Sequence, residues 1–370
     1  MTDPYSSPDL IIIGGGPAGC ATALSLRAHD PSLSVALIEA SSYDKPRIGE
    51  VLPSVARPFL EHLGVWEAFQ AERFRLVHST SSAWGHPSMW ESHFIYSLHG
   101  AGWHLDRARF DAFMARQAAR REVLVRLSTR LVAAERSGNG WTLRLSDGSQ
   151  YRARFVVDAT GRHAAFARKT GARLEAFDRL TGFARFFTVD DDSEQGTLIE
   201  AFSEGWWYTA TAGERRVVTC MTDSDVARRL GLGDEERWLK LLSETRWIRG
   251  RVGCGTLYGA PLSRAANSLR LHPVIERDWL AVGDAATAFD PLSSQGIVKS
   301  LRAGIFASYA IADLLGKADA EGLARYESFV HREFDVYLRS HAQYCAAEQR
   351  WPDSSFWRRR HRMIHAIASA

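Results

Sequence analysis

A glycine-rich turn, Gly14-x-Gly16-x-x-Gly19, constrains this chain more than any other feature, because it sits between an apolar run at 9–13 and a helix-compatible stretch at 18–28. The run is too short for a helix and rich in β-branched residues, the pattern of a buried parallel strand. A second apolar run, 35–39, ends in Glu39, twenty residues beyond Gly19. Strand, turn, helix, strand and terminal acid predict the first unit of a doubly wound α/β domain that holds a dinucleotide. Gly14 permits the tight turn, Gly16 lets the backbone approach a pyrophosphate, and Gly19 lets helix and strand pack closely. Pro17 and Ala18 open the helix, whose N-terminus faces the phosphates. Glu39 can accept hydrogen bonds from ribose hydroxyls, and its charge disfavours a 2′-phosphate.

The rest of the composition narrows the class. With 45% hydrophobic and 24% charged residues in a length of 370, disorder and collagen-like repeats are excluded. No run of eighteen apolar residues occurs and the start lacks signal-peptide character, so a soluble, cytoplasmic chain with no membrane partner is expected. Cys20, Cys220, Cys254 and Cys345 are scattered without zinc-site spacing, so no metal is expected. A net charge of +3 gives no case for a nucleic-acid partner. Arg358, Arg359, Arg360 and Arg362 form a basic tail, read either as a solvated helix face or as a docking patch.

Along the chain, a helix is predicted over 107–120 with Asp106 as its N-cap. A small β-meander follows, turning at 137–140 and at Asp147-Gly148. Residues 181–221 are rich in Phe, Trp, Tyr and Thr and predict an antiparallel sheet, whereas 279–282 return to a buried strand before a helix at 294–315. The expected architecture is α/β. A Rossmann-like nucleotide-binding domain with parallel sheet and meander spans 1–180 and 255–320. A substrate domain with an antiparallel sheet and helices spans 181–254, and C-terminal helices span 321–370.

Two later segments separate FAD from NAD. Val156-Val157-Asp158-Ala159-Thr160-Gly161 resembles the second dinucleotide motif of flavoprotein hydroxylases, and Gly283-Asp284-Ala285-Ala286 with Asp290-Pro291-Leu292 and Gly296-Ile297 resembles their third. The chain thus resembles the para-hydroxybenzoate hydroxylase superfamily, in the branch that holds the flavin-dependent halogenases. The resemblance implies that Asp284 meets the FAD ribityl chain and that Asp158 helps hold the flavin, or else serves as a structural cap. It also implies that Pro291 to Gly296 pass near the isoalloxazine ring, with a helix N-terminus stabilising reduced flavin, and that Gly283 and Ile297 belong to the cofactor-binding set. Arg47 and Arg107 match arginines that reach FAD. No second GxGxxG unit is present, so NAD(P)H either visits transiently or serves a separate flavin reductase that supplies reduced FAD.

Ile48-Gly49-Glu50-Val51-Leu52-Pro53 is similar to a halogenase segment, but the lysine that follows in halogenases is missing: none lies between Lys45 and Lys169. Their WxWxIP motif reads Gly205-Trp206-Trp207-Tyr208-Thr209-Ala210, and Ser293 stands where they carry a glutamate. Hydroxylation through a flavin C4a-hydroperoxide, with O2 as co-substrate, needs chiefly a dry pocket for an electron-rich ring. Phe183, Phe186, Trp206, Trp207 and Tyr208 are the expected lining, with a hydrophobic core as their other reading. Glu50 is the candidate catalytic residue, orienting substrate or shuttling a proton, unless it is only a partner of Arg47. Within the branch, residues 47–53, 205–208 and 350–357 resemble flavoproteins that mature quinone cofactors of amine and amino-acid oxidases. That resemblance implies a tryptophan side chain of a partner polypeptide, a quinoprotein precursor, as substrate. A small aromatic hydroxylase substrate, halogenation, a reductase or saturase activity, and a pure flavin-binding module are the alternatives.

Overall fold

The computed structural model describes residues 7–94, 99–189, 196–212 and 215–368. Its first sheet is parallel apart from one edge. It runs in the order Ile275–Glu276, Trp279–Ala281, Phe155–Asp158, Leu10–Ile13, Val35–Ile38 and Leu124–Arg126. Leu10–Ile13 is buried on both faces, pairing with Phe155–Asp158 on one side and Val35–Ile38 on the other, as the unbroken LIII run requires. The predicted meander is Leu131–Ser137, Gly140–Leu145 and Gln150–Ala153. Asp106 caps the Arg107–Ala119 helix by accepting from the Arg109 amide at 3.1 Å.

The Pro17–His29 helix lies against the long Gly296–Lys317 helix. Gly304 makes this possible: a Cβ there would stand 2.5 Å from the Ala18 carbonyl oxygen and 2.9 Å from the Thr22 amide nitrogen. The second helix brings the third motif up to the first, although nearly the whole chain separates them.

The second sheet has seven strands. They are ordered Thr256–Ala265, Leu180–Thr188, Arg215–Asp223, Gly205–Ala212, Thr197–Phe202, Ser79–Ala83 and Trp90–His93. The substrate region is therefore wider than 181–254. Thr256–Ala265, expected in the nucleotide-binding domain, pairs with Leu180–Thr188, and two strands come from the first hundred residues. Such pairing is non-local and leaves no trace in local patterning. One face of the sheet packs on helices Ser224–Leu230, Glu235–Ser243 and Ile248–Val252, where Phe187, Trp207 and Trp238 form a buried cluster. The other faces the nucleotide-binding region.

The C-terminal part consists of Glu321–Ala347 and Ser355–Ala368. Trp357 is buried and donates to the Phe202 carbonyl at 2.9 Å, fastening the last helix to the second sheet. Arg359 and Arg360 both bond Asp223, at 2.8 and 3.0 Å, so half of the basic tail is used within the chain. Among the described residues no helix is long and apolar enough to cross a membrane, and no group of side chains could hold a metal ion.

The Gly304 contact yields a stability prediction. Gly304→Ala gains about 1 kcal/mol of helix propensity. The methyl group, however, meets backbone atoms that cannot yield, an overpacking cost of about 1–3 kcal/mol. The net result expected is a lower urea midpoint. A higher one would show that the two helices can separate freely.

Candidate functional site

The two sheets enclose a cavity of about 770 Å³, within the range of ligand sites. Gly14, Gly16, Pro17, Ala18, Glu39, Arg47, Arg107, Asp284, Pro291, Gly296 and Ile297 all line it, as do Glu50 and Tyr208. With Ala159, Thr160 and Gly161 also at the wall, residues from all three motifs share one space.

The donor set fits a flavin dinucleotide. A Cβ on Gly16 or Gly296 would meet no protein atom within 4 Å, so both backbones stand open to the cavity. Gly14, at φ +112°, instead packs so closely that a Cβ would lie 2.2 Å from the Ala159 carbonyl oxygen. Glu39, ending its strand, accepts from the Gly15 amide at 2.7 Å and from the Ser41 amide at 3.0 Å, which rigidifies the turn beneath the phosphates. The Gly296–Lys317 helix presents its N-terminus at Gly296, Ile297 and Ser300. That end carries partial positive charge.

The two expected phosphate arginines are held from below. Arg47 bonds Asp111 at 2.6 Å and Glu39 at 3.2 Å, while Arg107 bonds Asp111 at 3.2 Å and the Ile48 carbonyl at 3.2 Å. Asp111 is fully buried, so this carboxylate fixes both guanidinium groups at the cavity wall. Sequence reasoning missed Asp111 as their anchor, although it lies four residues after Arg107 on the same helix face.

Asp284 carries an unforeseen partner. Lys299, 1% exposed, donates to its Oδ1 at 2.7 Å and to the Thr287 carbonyl, and lies 4.4 Å from the Phe289 ring centroid. Arg162 stands 3.6 Å from the other oxygen and donates to the Phe289 carbonyl at 2.6 Å. Burial opposes the charge on Asp284, but Lys299 and then Arg162 outweigh it and hold the carboxyl below its ordinary value. The available signals were a lone lysine in the apolar run Gly296-Ile297-Val298-Lys299 and an arginine directly after Gly161.

Several expected residues fall elsewhere. Asp158 does not line the cavity. Its four hydrogen bonds, to Thr160 N and Oγ1 and to the amides of Phe166 and Ala167, make it the cap of the Ala165–Lys169 helix. Gly19 and Gly283 serve close packing behind the wall, where a Cβ on Gly283 would stand 2.6 Å from the Ala18 Cβ. Of the five aromatic residues only Tyr208 reaches the cavity. Side chains alternate along a strand, so Phe183 and Trp207 point to the helix-covered face. Trp206 joins Trp357 in a core cluster, and Phe186 packs with Ala184 and Val217. In place of an aromatic box, the sheet side of the cavity presents Gly182, Met221, Leu262, Ala265 and Ala266, small or aliphatic side chains that leave room for a ring.

Glu50 is fully buried yet faces this space. Its Oε2 accepts from the Tyr208 hydroxyl at 3.0 Å, and its Oε1 has no hydrogen-bond partner. It does not pair with Arg47. Burial lifts its pKa above the ordinary value despite the opposing influence of its own amide, the Tyr208 hydroxyl and the Gly49 amide, and Tyr208, raised first by burial and then by Glu50, stays a donor. No lysine lines the cavity among the described residues.

Raising a carboxyl's pKa on folding means that the native state binds the proton more tightly. Stability is then full below the unfolded value, about 4.3, and falls as pH rises through the folded value. Glu50→Gln removes this loss. The difference in urea midpoint between variant and parent is expected to grow in the variant's favour from pH 4 upward. A difference independent of pH would contradict a proton held at Glu50.

Comparison with known proteins bears on what this site serves. The tryptophan halogenase family model matches residues 9–94 and 86–368. LodB of Marinomonas mediterranea, named as an FAD-dependent oxidoreductase, is 32% identical over 365 residues, covering 96% of this chain and 97% of LodB. A 1H-pyrrole-2-carbonyl peptidyl-carrier-protein brominase of Pseudoalteromonas luteoviolacea is 26% identical over 85% of this chain and 80% of its own length. The halogenase CmlS shares the fold at a TM-score of 0.84 with 23% identity, over 96% of this chain and 67% of CmlS. QhpG, a peptidyl tryptophan dihydroxylase essential for tryptophylquinone cofactor biogenesis, shares it at 0.70 with 24% identity, over 96% of this chain and 78% of QhpG. The chain belongs to the tryptophan halogenase family, within the halogenase-like flavin monooxygenase superfamily, and is an FAD-dependent oxidoreductase.

Proposed function

We propose that the protein is a monooxygenase that hydroxylates a tryptophan side chain of a partner polypeptide, a precursor of a quinone cofactor. One observation carries the reading: the cavity joins the flavin-binding residues to a buried carboxyl with an unpaired oxygen, and no lysine lines it among the described residues. A halogenase of this family needs a lysine to relay hypohalous acid. Lys299 cannot serve, because Asp284 and the Thr287 carbonyl occupy its ammonium behind the wall. Ser293 at the cavity wall offers a hydroxyl where a halogenase has a carboxylate. Full-length similarity to LodB agrees with an FAD-dependent oxidoreductase, and the fold shared with QhpG, a peptidyl tryptophan dihydroxylase, is compatible with the hydroxylase reading.

Bound and reduced FAD supplies the activation of O2 that aromatic hydroxylation needs. In the overall balance one oxygen atom converts a ring C–H to C–OH and the other leaves as water. The two electrons come from NAD(P)H, bound directly or used by a separate flavin reductase. The protein's own residues orient and exclude. Glu50 Oε1, the unpaired oxygen, accepts the indole N–H, and the Tyr208 hydroxyl on Oε2 fixes the carboxyl. Gly182, Ala265 and Ala266 leave space for the bicyclic ring, and Met221 and Leu262 keep its surroundings apolar. As oxygen adds, electron density leaves the indole nitrogen, and a carboxyl oxygen accepting its N–H stabilises the developing positive charge. Asp284, held ionised by Lys299, would hold the ribityl hydroxyls of FAD, and the open backbone of Gly16 with the anchored Arg47 and Arg107 would hold its pyrophosphate.

Co-expression with a candidate quinoprotein-precursor polypeptide tests the reading. The partner is expected to gain about 16 or 32 Da on a tryptophan, one oxygen per transfer, and to gain nothing with Glu50→Ala. An unmodified partner combined with efficient turnover of a free phenol or indole would make the protein a small-molecule hydroxylase. A halide-dependent mass gain would make it a halogenase.

A further inference from the structure

We infer that His341, on the helix Glu321–Ala347, is a positioning residue for the flavin: paired with Asp290, it holds the turn 289–294 at the cavity wall and cancels a negative charge that would otherwise oppose FAD reduction. The inference rests on the flavin-binding site alone and goes beyond the peptidyl-tryptophan reading, whose substrate plays no part in it.

Phe289, Asp290, Pro291, Ser293 and Ser294 line the cavity. The turn they form gains little restraint from its own chain. Pro291 has no N–H to donate, and Ser294 sits at φ +50°, in the left-handed region that a residue with a side chain occupies only at a cost. Restraint comes from the long helix behind it. The Tyr337 hydroxyl accepts from the Asp290 amide at 2.8 Å and is bonded to Ser268 Oγ at 2.6 Å. Its ring stacks on Phe289, with centroids 4.0 Å apart and planes 3° from parallel. One helical turn on, His341 Nε2 bonds Asp290 Oδ2 at 2.9 Å, while Asp290 Oδ1 accepts from the Leu292 amide, also at 2.9 Å. Backbone, ring and carboxyl of the turn are thus all gripped by side chains four residues apart on one helix face.

The grip is also electrostatic. Asp290 is 1% and His341 4% exposed, so the charge of either one alone would act through a poorly screening surrounding. Burial opposes the charge on His341, but the Cys345 sulfur, 3.9 Å from Nδ1, and Asp290 outweigh it and push its pKa up to about 10. Imidazolium and carboxylate therefore face each other at neutral pH. Their place along the cavity gives the pair its meaning. The open backbone of Gly16 takes the middle of a dinucleotide and Glu39 stands at its adenosine side, so the flavin ring falls toward the second sheet, where Asp290 and Pro291 share the wall with Gly182 and Leu262. Reduction puts negative charge on that ring, and charges beside it tune its electronics. The helix end at Gly296 favours the added charge. A bare Asp290 would work against it, and His341 removes that opposition.

The test measures the reduction potential of FAD bound to the holoenzyme, together with the Kd of oxidised FAD. His341→Gln keeps a donor for Asp290 but removes the positive charge. It is expected to lose about tenfold in the preference for reduced over oxidised FAD, a potential lower by about 30 mV for a two-electron couple. Adding Asp290→Asn to it takes away the uncompensated carboxylate and is expected to return the potential to the parent's. Tyr337→Phe loosens the turn without changing charge, so it is expected to weaken oxidised and reduced FAD alike and leave the potential in place. Asp290→Asn alone is expected to give a potential no lower than the parent's, which keeps the inference open to refutation even if His341→Gln does not fold. An unchanged potential in His341→Gln, a double variant as low as the single one, or a lower potential in Asp290→Asn overturns the inference. The peptidyl-tryptophan reading is untouched by these results, since it stands or falls on the mass of the partner.

Discussion

The site depends on close backbone approach around one turn of the first helix. Ala18 is met from two sides, by Gly283 and by Gly304, and the preceding turn is pressed onto Ala159 through Gly14. Side chains at these positions would hold the three dinucleotide motifs apart by the thickness of a methyl group or more. With glycine there, Gly16, Asp284 and Gly296 open onto one cavity, and a ligand touching all three can be recognised by a chain whose contacting segments are far apart in sequence. This is tight packing used for geometry, at a place where the loss of a hydrogen bond or the insertion of one carbon is felt at once.

The charges around the cavity are arranged by the same economy. Asp111 holds Arg47 and Arg107, and Lys299 with Arg162 holds Asp284. Arg47, Arg107 and Asp284 are thus each braced by an opposite charge. A braced side chain loses little conformational freedom when the ligand arrives, so more of the contact energy appears as affinity. Glu50 is the exception. It has a neutral hydroxyl as partner and one oxygen unsatisfied, an arrangement costly to stability unless a substrate donor completes it.

Much of the flavin-binding half was legible in the sequence because its signals are local. Strand, glycine turn and terminal acid occur within thirty residues, and the observed Pro17–His29 and Arg107–Ala119 helices begin and end within a residue or so of their expected positions. The substrate half was not legible, for two reasons. Strand parity decides whether an aromatic residue faces a cavity or a core, and consecutive aromatics such as Trp206, Trp207 and Tyr208 must split between the faces. Sheet membership is non-local, so Thr256–Ala265 was assigned to the wrong neighbourhood. The reading of Asp158 as a flavin ligand failed on saturation: its carboxylate is fully used by a helix start eight residues downstream. The basic tail lost half its charge to Asp223, a residue no local pattern links to it.

The central claim is that this halogenase-family cavity transfers oxygen to a tryptophan side chain of another polypeptide. Isotope labelling tests it most directly. With 18O2 as the gas, the modified tryptophan of the co-expressed partner is expected to carry the heavy isotope in each added oxygen, about 2 Da heavier than with ordinary O2, and to carry none when the label is in the water. Oxygen drawn from water, or a halogen in its place, would contradict the account.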